Sequence, residues 1–106
     1  AVTGGMFNLG APAALTIVSD AITVTTSSVS VETQGGAATD DLSAINGGAS
    51  GDLLIVKATT TGHSVVLKDG VGNLQLNGDC TLATVQQRIV LIFQGSNWVE
   101  LSRSLN

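Results

Sequence analysis

Along most of the chain, aliphatic and β-branched residues alternate with Thr and Ser. The segments ALTIVS (14–19), AITVT (21–25) and SVSVE (28–32) each place apolar side chains at every second position, the period of a strand with one polar face. GDLLIVKA (51–58) and SVVLKDG (64–70) continue in the same style, and a shorter strand is predicted around Leu74 to Leu76. Asp69-Gly70 and Asn77-Gly78 supply turn signals between them. CTLATVQQR (80–88) fits a strand or an irregular connection equally well. The chain closes with IVLIFQ, a Gly95-Ser96 turn, and NWVELSR.

That last unit predicts its own register. A two-residue turn with Gly first is the type II′ hairpin, which sets Gln94 opposite Asn97, Phe93 opposite Trp98, Leu91 opposite Glu100 and Ile89 opposite Ser102 on one face. Ile92 with Val99 and Val90 with Leu101 fall on the other, wholly apolar face, which is expected to belong to the core. The mixed face, with Ile89, Leu91, Phe93 and Trp98, is then the surplus, and exposed together these four are expected to form an oligomer interface. The run LLIV (53–56) adds to that expectation, being apolar on both sides of a strand. The alternative is cover from a second sheet or a long loop of the same chain.

One stretch breaks the pattern. TQGGAATDDLSAINGG (33–48) is bracketed by glycine pairs, with Thr39 or Asp40 placed as an N-cap, acids at 40 and 41 suited to the positive end of a helical turn, and Leu42 and Ile45 three apart on one side. Asn46-Gly47 supplies a left-handed stop. A short helical turn near residues 40–46 is predicted, with Thr39, Asp40, Leu42, Ile45 and Gly47 forming a structural cap over the open end of a sheet layer.

Composition narrows the function. Charged residues are 11% of the 106, well under the roughly 25% usual for a soluble domain, so Ser, Thr, Gly and Asn carry the polar surface. The net charge is −4 and the four cations, Lys57, Lys68, Arg88 and Arg103, are scattered along the chain, which argues against a nucleic-acid surface. The longest apolar runs are far short of a bilayer span, no basic stretch precedes APAALTIV as a signal peptide would require, and lone Cys80 reads as a small buried apolar residue.

Candidate chemistry is sparse. A triad would have to use His63, the one histidine, and no nucleophile-elbow pattern accompanies it. The Asp40-Asp41 pair lacks a nearby third metal ligand, and one Cys with one His cannot make a zinc site. Asp52, Asp69, Asp79 and Glu100 could converge as glycosidase-like carboxylates, but each has a local explanation beside a turn or within a strand. Trp98 is the one plausible sugar-stacking surface. No catalytic residue, metal or cofactor is expected.

Taken in order, SVSVETQGGAATDDLSAINGG, GDLLIVKATTTGHSVVLKDGVGNLQLNGDCTL and IVLIFQGSNWVELSRS resemble a module at the C-terminal ends of tailed-bacteriophage tailspike and tail-fibre proteins and of related small virion proteins. The resemblance spans about residues 22 to 104 and lies in the ordering of turns and strands, not in a catalytic signature. It implies a β-structured virion protein, assembled as a homotrimer because phage fibres and spikes are generally three-fold, with other virion proteins and a host-surface glycan or protein as partners. Neither nucleic acid nor membrane insertion is implied. The predicted fold is thus an all-β, small antiparallel sandwich or barrel-like domain over residues 21–106, and residues 1–20 form a lead-in segment read as a remnant of an upstream shaft or the start of a decoration protein. A capsid decoration or head-fibre protein is the structural alternative; a carbohydrate-binding or glycan-cleaving protein is the alternative from another class.

Overall fold

The computed structural model describes residues 8–106 and, of the preceding segment, the backbone pairing of β1 (Val2–Thr3) with β2 (Met6–Phe7). The rest of the predicted lead-in before Asn8 lies outside the described residues. From there the chain is almost entirely β, as its alternation predicts, but the strands are not arranged as an antiparallel sandwich.

They wind instead into coils. β3 (Ala13–Thr16) and β4 (Ala21–Thr23) form the first, β5 (Ser28–Glu32), β6 (Thr39–Leu42) and β7 (Ala44–Asn46) the second, and β8 (Leu53–Ala58), β9 (Ser64–Leu67) and β10 (Leu74–Gln75) the third. Strands one coil apart pair in parallel: β3 with β5, β5 with β8, β4 with β7 and β6 with β9. The outcome is a short β-solenoid-like stack. β11 (Cys80–Leu82), β12 (Arg88–Gln94) and β13 (Asn97–Ser104) close one end with antiparallel pairing, β11 on β9, β12 on β8 and β13 on β12. The main sheet therefore has six strands in the order β10-β13-β12-β8-β5-β3. Alternation specifies a strand's two faces but not whether its partner is the next strand or the next coil. Asp69-Gly70 and Asn77-Gly78 accordingly mark corners between sheets, and of these three predicted turns only Gly95-Ser96 joins two paired strands.

The core consists of side-chain ladders that run from coil to coil. Val29, Val56 and Ile89 are in register and fully buried, as are Val31 with Ala58 and Leu54 with Leu91, and buried Ile22 is in register with Ile45. Leu42, Leu67 and Cys80 form another, which confirms Cys80 as a buried apolar residue; burial pushes its thiol pKa up.

The predicted helical turn is absent. Thr39–Leu42 and Ala44–Asn46 are strands meeting at a corner at Ser43, and the one helical turn among the described residues is the 3-10 segment Gln34–Gly36. Leu42 and Ile45 are both buried, as expected of the cap, but a corner between two strands turns them to one side as well as a helix would, and each finds a ladder partner, Leu67 and Ile22. Asp20 fixes the corner: its carbonyl accepts bonds from the Ser43 and Ala44 amides at 2.9 and 3.2 Å. Thr39 is a paired strand residue opposite Ser64, and the Asp40 carboxylate accepts from the Gln34 amide at 2.8 Å. Gly47 has the expected positive φ of 99°, yet it ends a strand, where a Cβ would overlap the Val24 carbonyl.

The terminal hairpin follows the predicted register from Gln94/Asn97 through Leu91/Glu100. Gly95 has φ 70° and Ser96 stays out of positive φ, as a Gly-first turn requires. Beyond Leu91 a bulge sets Val90 opposite Ser102 and Ile89 opposite Arg103, leaving Leu101 as the extra residue, 56% exposed. The gain is electrostatic. The slip turns Arg103 to the same face as Glu100, where Nε and Nη2 donate to the two carboxylate oxygens at 2.8 and 2.6 Å.

Candidate functional site

The faces of that hairpin are the reverse of the prediction. Ile89 and Leu91 are fully buried and Trp98 is 1% exposed, inside the coil stack of their own chain. Phe93 packs against the core and meets Trp98 edge to face at 5.0 Å between centroids. Ile89, Leu91 and Trp98, expected at an oligomer interface, are therefore core residues of their own chain, with Phe93 half-buried against them, and for these three the intrachain alternative is the one realised. The mixed face can be buried because its polar groups are satisfied: Trp98 Nε1 donates to the Ile45 carbonyl at 3.0 Å, and Glu100 is held by Arg103 and by the Asn77 amide at 2.8 Å. With so little of the indole exposed, Trp98 is no stacking platform for a sugar.

The wholly apolar face is the one turned outward. β8 contributes Leu53 and Ile55, β12 Val90 and Ile92, and β13 Val99 and Leu101. Leu53, Ile92 and Val99 lie across from one another, with Ile55 and Val90 paired in the next row. Leu53 is 44% exposed, and Ile55, Val90, Ile92 and Val99 are half-buried. An apolar stripe therefore crosses three strands of the main sheet on its outer side. The surplus is legible in LLIV, but the side of the hairpin that carries it is not, because nothing in the alternation reveals that a Trp and a Glu will find buried partners.

Elsewhere the ionisable groups hold backbone in place. Of the eight acids, six accept a main-chain amide: Glu32 from Thr33, Asp40 from Gln34, Asp52 from Ala49, Asp69 from Leu76, Asp79 from Asp69 and Glu100 from Asn77. Three of the four candidate glycosidase carboxylates, Asp69, Asp79 and Glu100, do converge, around the loop 69–79, but there Asp79 pairs with Lys68 at 2.8 Å and Glu100 with Arg103. Asp52 lies apart, beside Thr25, Thr26 and Ser27 in a cleft of about 150 Å³. Among the described residues no group of three or more His, Cys, Asp or Glu side chains is placed to hold a metal ion.

His63 has a defined partner. Its Nδ1 lies 2.8 Å from Glu32 Oε1, while Glu32 Oε2 accepts from the Thr60 hydroxyl at 2.8 Å. The Thr60 hydroxyl foremost, with His63 and the Thr33 amide, holds the Glu32 carboxyl at about 2, against the partial burial that pushes it upward. The cluster ties β5 to the loop 59–63 that follows β8, and the dyad's carboxylate is fully engaged.

No family model, curated protein or solved structure matches this chain.

Proposed function

We propose that this chain is a structural module of a tailed-bacteriophage particle, the trimerising terminal domain of a tailspike or tail fibre. The observation that carries this reading is the apolar stripe of Leu53, Ile55, Val90, Ile92, Val99 and Leu101 on the outer face of the main sheet. Six aliphatic side chains on neighbouring strands form the kind of contiguous patch that is stabilised when copies of the same chain turn it toward a common axis. Coils of parallel strands closed at one end by an antiparallel hairpin suit the tip of a fibre. The use of most carboxylates as backbone anchors fits a role in which rigidity, not chemistry, is the product.

Light scattering tests the association. The wild type should have the mass of three chains, and Ile92→Asp combined with Leu101→Asp should reduce it to one without changing the circular dichroism. A wild type that stays a single chain at high concentration, or a double variant that keeps its mass, removes the basis of the proposal. Electron microscopy of intact particles carrying a labelled chain then places it at the tail or on the capsid, and hydrolysis of host polysaccharide that an acid-to-amide change abolishes would overturn the structural assignment.

A further inference from the structure

The four cations fall into two pairs of different kinds. Lys68 is bound to Asp79 and Arg103 to Glu100. Lys57 and Arg88 have no carboxylate within ion-pair distance, and all eight acids of the chain lie among the described residues. These two are direct cross-strand partners in β8 and β12, on the outer face of the sheet. Like charges set directly opposite each other destabilise a sheet, so the arrangement costs stability in a protein whose net charge is −4. Arg88 Nη1 donates to the Gln86 carbonyl at 2.8 Å, with the Val85 carbonyl at 3.5 Å, bonds that leave its charge uncompensated.

The pair opens onto a groove of about 520 Å³, whose walls include Asn8, Pro12, Ser28 and Ile55. Two positive charges beside an amide and a hydroxyl are complementary to a compact group carrying two negative charges. We infer that this groove is a binding site for a dianion, a phosphate monoester or a pair of neighbouring carboxylates. The inference does not depend on self-association, although the groove borders the apolar stripe at Ile55.

The test uses inorganic phosphate, glycerol 3-phosphate and succinate as probes, with acetate and glycerol as monoanionic and neutral controls. The dianions should raise the melting temperature and shift the amide resonances of Ser28, Ile55, Lys57 and Arg88, and the controls should not. Lys57→Gln and Arg88→Gln should each weaken binding about tenfold or more, and Lys68→Gln should leave it unchanged. Without any anion, Lys57→Gln should melt higher than the wild type, because the repulsion is gone. A response to the phosphates alone or to succinate alone supports the site and identifies which dianion it takes. No response to either, an equal loss in Lys68→Gln, or a lower melting temperature for anion-free Lys57→Gln overturns the inference. Repeating the titration in the Ile92→Asp, Leu101→Asp background separates the two proposals, since anion binding should persist there whatever the oligomeric state.

Discussion

Glu32 receives the Thr60 hydroxyl on one carboxylate oxygen and both His63 and the Thr33 amide on the other. All of these favour its ionised form, so its pKa falls from an ordinary 4.5 to about 2, and the stability it contributes is present in full above pH 4.5 and lost as pH falls toward 2. Glu32→Gln should therefore melt with a shallower pH dependence than the wild type between pH 4.5 and 2; parallel melting curves would contradict the assignment. Two glycines give a sharper steric test. Gly70 and Gly72 both have positive φ, 74° and 63°, but a Cβ on Gly70 would meet open space whereas one on Gly72 would overlap the Ser43 carbonyl. Gly70→Ala should cost about 1–2 kcal/mol of backbone strain, and Gly72→Ala more than that, because backbone at a corner cannot yield as a side-chain tip can. Chemical denaturation of the two variants makes the comparison.

At the scale of elements, the last hairpin sets the limits of reading strands from sequence. Its turn and its first four pairs follow from Gly95-Ser96 alone. The bulge after Leu91 does not, because it is set by Arg103 reaching both Glu100, three residues before it, and the carbonyls of Asn77, Gly78 and Asp79, about 25 residues away in the chain. Arg103→Lys retains the charge but cannot span the carboxylate and three carbonyls at once, so a loss of about 1–2 kcal/mol is expected in denaturant titration. Trp98→Ala should cost about 3–5 kcal/mol and abolish near-ultraviolet dichroism, as befits a core indole with a satisfied N–H. Were the indole instead at an interface, the variant would dissociate while keeping its fold. The region 39–47 has the same lesson in a milder form: burial of Leu42 and Ile45 was legible from their spacing, but whether a helix or a corner brings them together depends on partners in neighbouring coils.

For the molecule as a whole, parallel stacking gives the middle coil neighbours on either side, and stability in such a stack is carried by interfaces between coils. The first coil has a neighbour on one side only among the described residues, since β3 pairs with β5 and with no other strand. Ala13 and Leu15, which point inward there, are correspondingly only half-buried. The outer stripe and the Lys57/Arg88 groove lie on the six-stranded sheet, so the surfaces proposed for association and for anion binding share one side of the molecule. Concentration-dependent melting is expected of the wild type and not of the Ile92→Asp, Leu101→Asp variant, a difference that differential scanning calorimetry across a dilution series measures.

Local pattern was enough to show that the chain is nearly all β, where most of its strands and turns fall, that Cys80 is buried, and that it carries more aliphatic surface than one small domain hides easily. These are consequences of a two-residue period and of turn chemistry, both local. The stacking of strands in parallel coils, the buried side of the hairpin and the cross-strand pairing of Lys57 with Arg88 emerge only once the chain is folded. Each of those depends on pairing between strands far apart in the chain and, for the hairpin, on the distant carbonyl and amide that satisfy Trp98 and Glu100, and a pattern of neighbours along the chain holds no record of such partners.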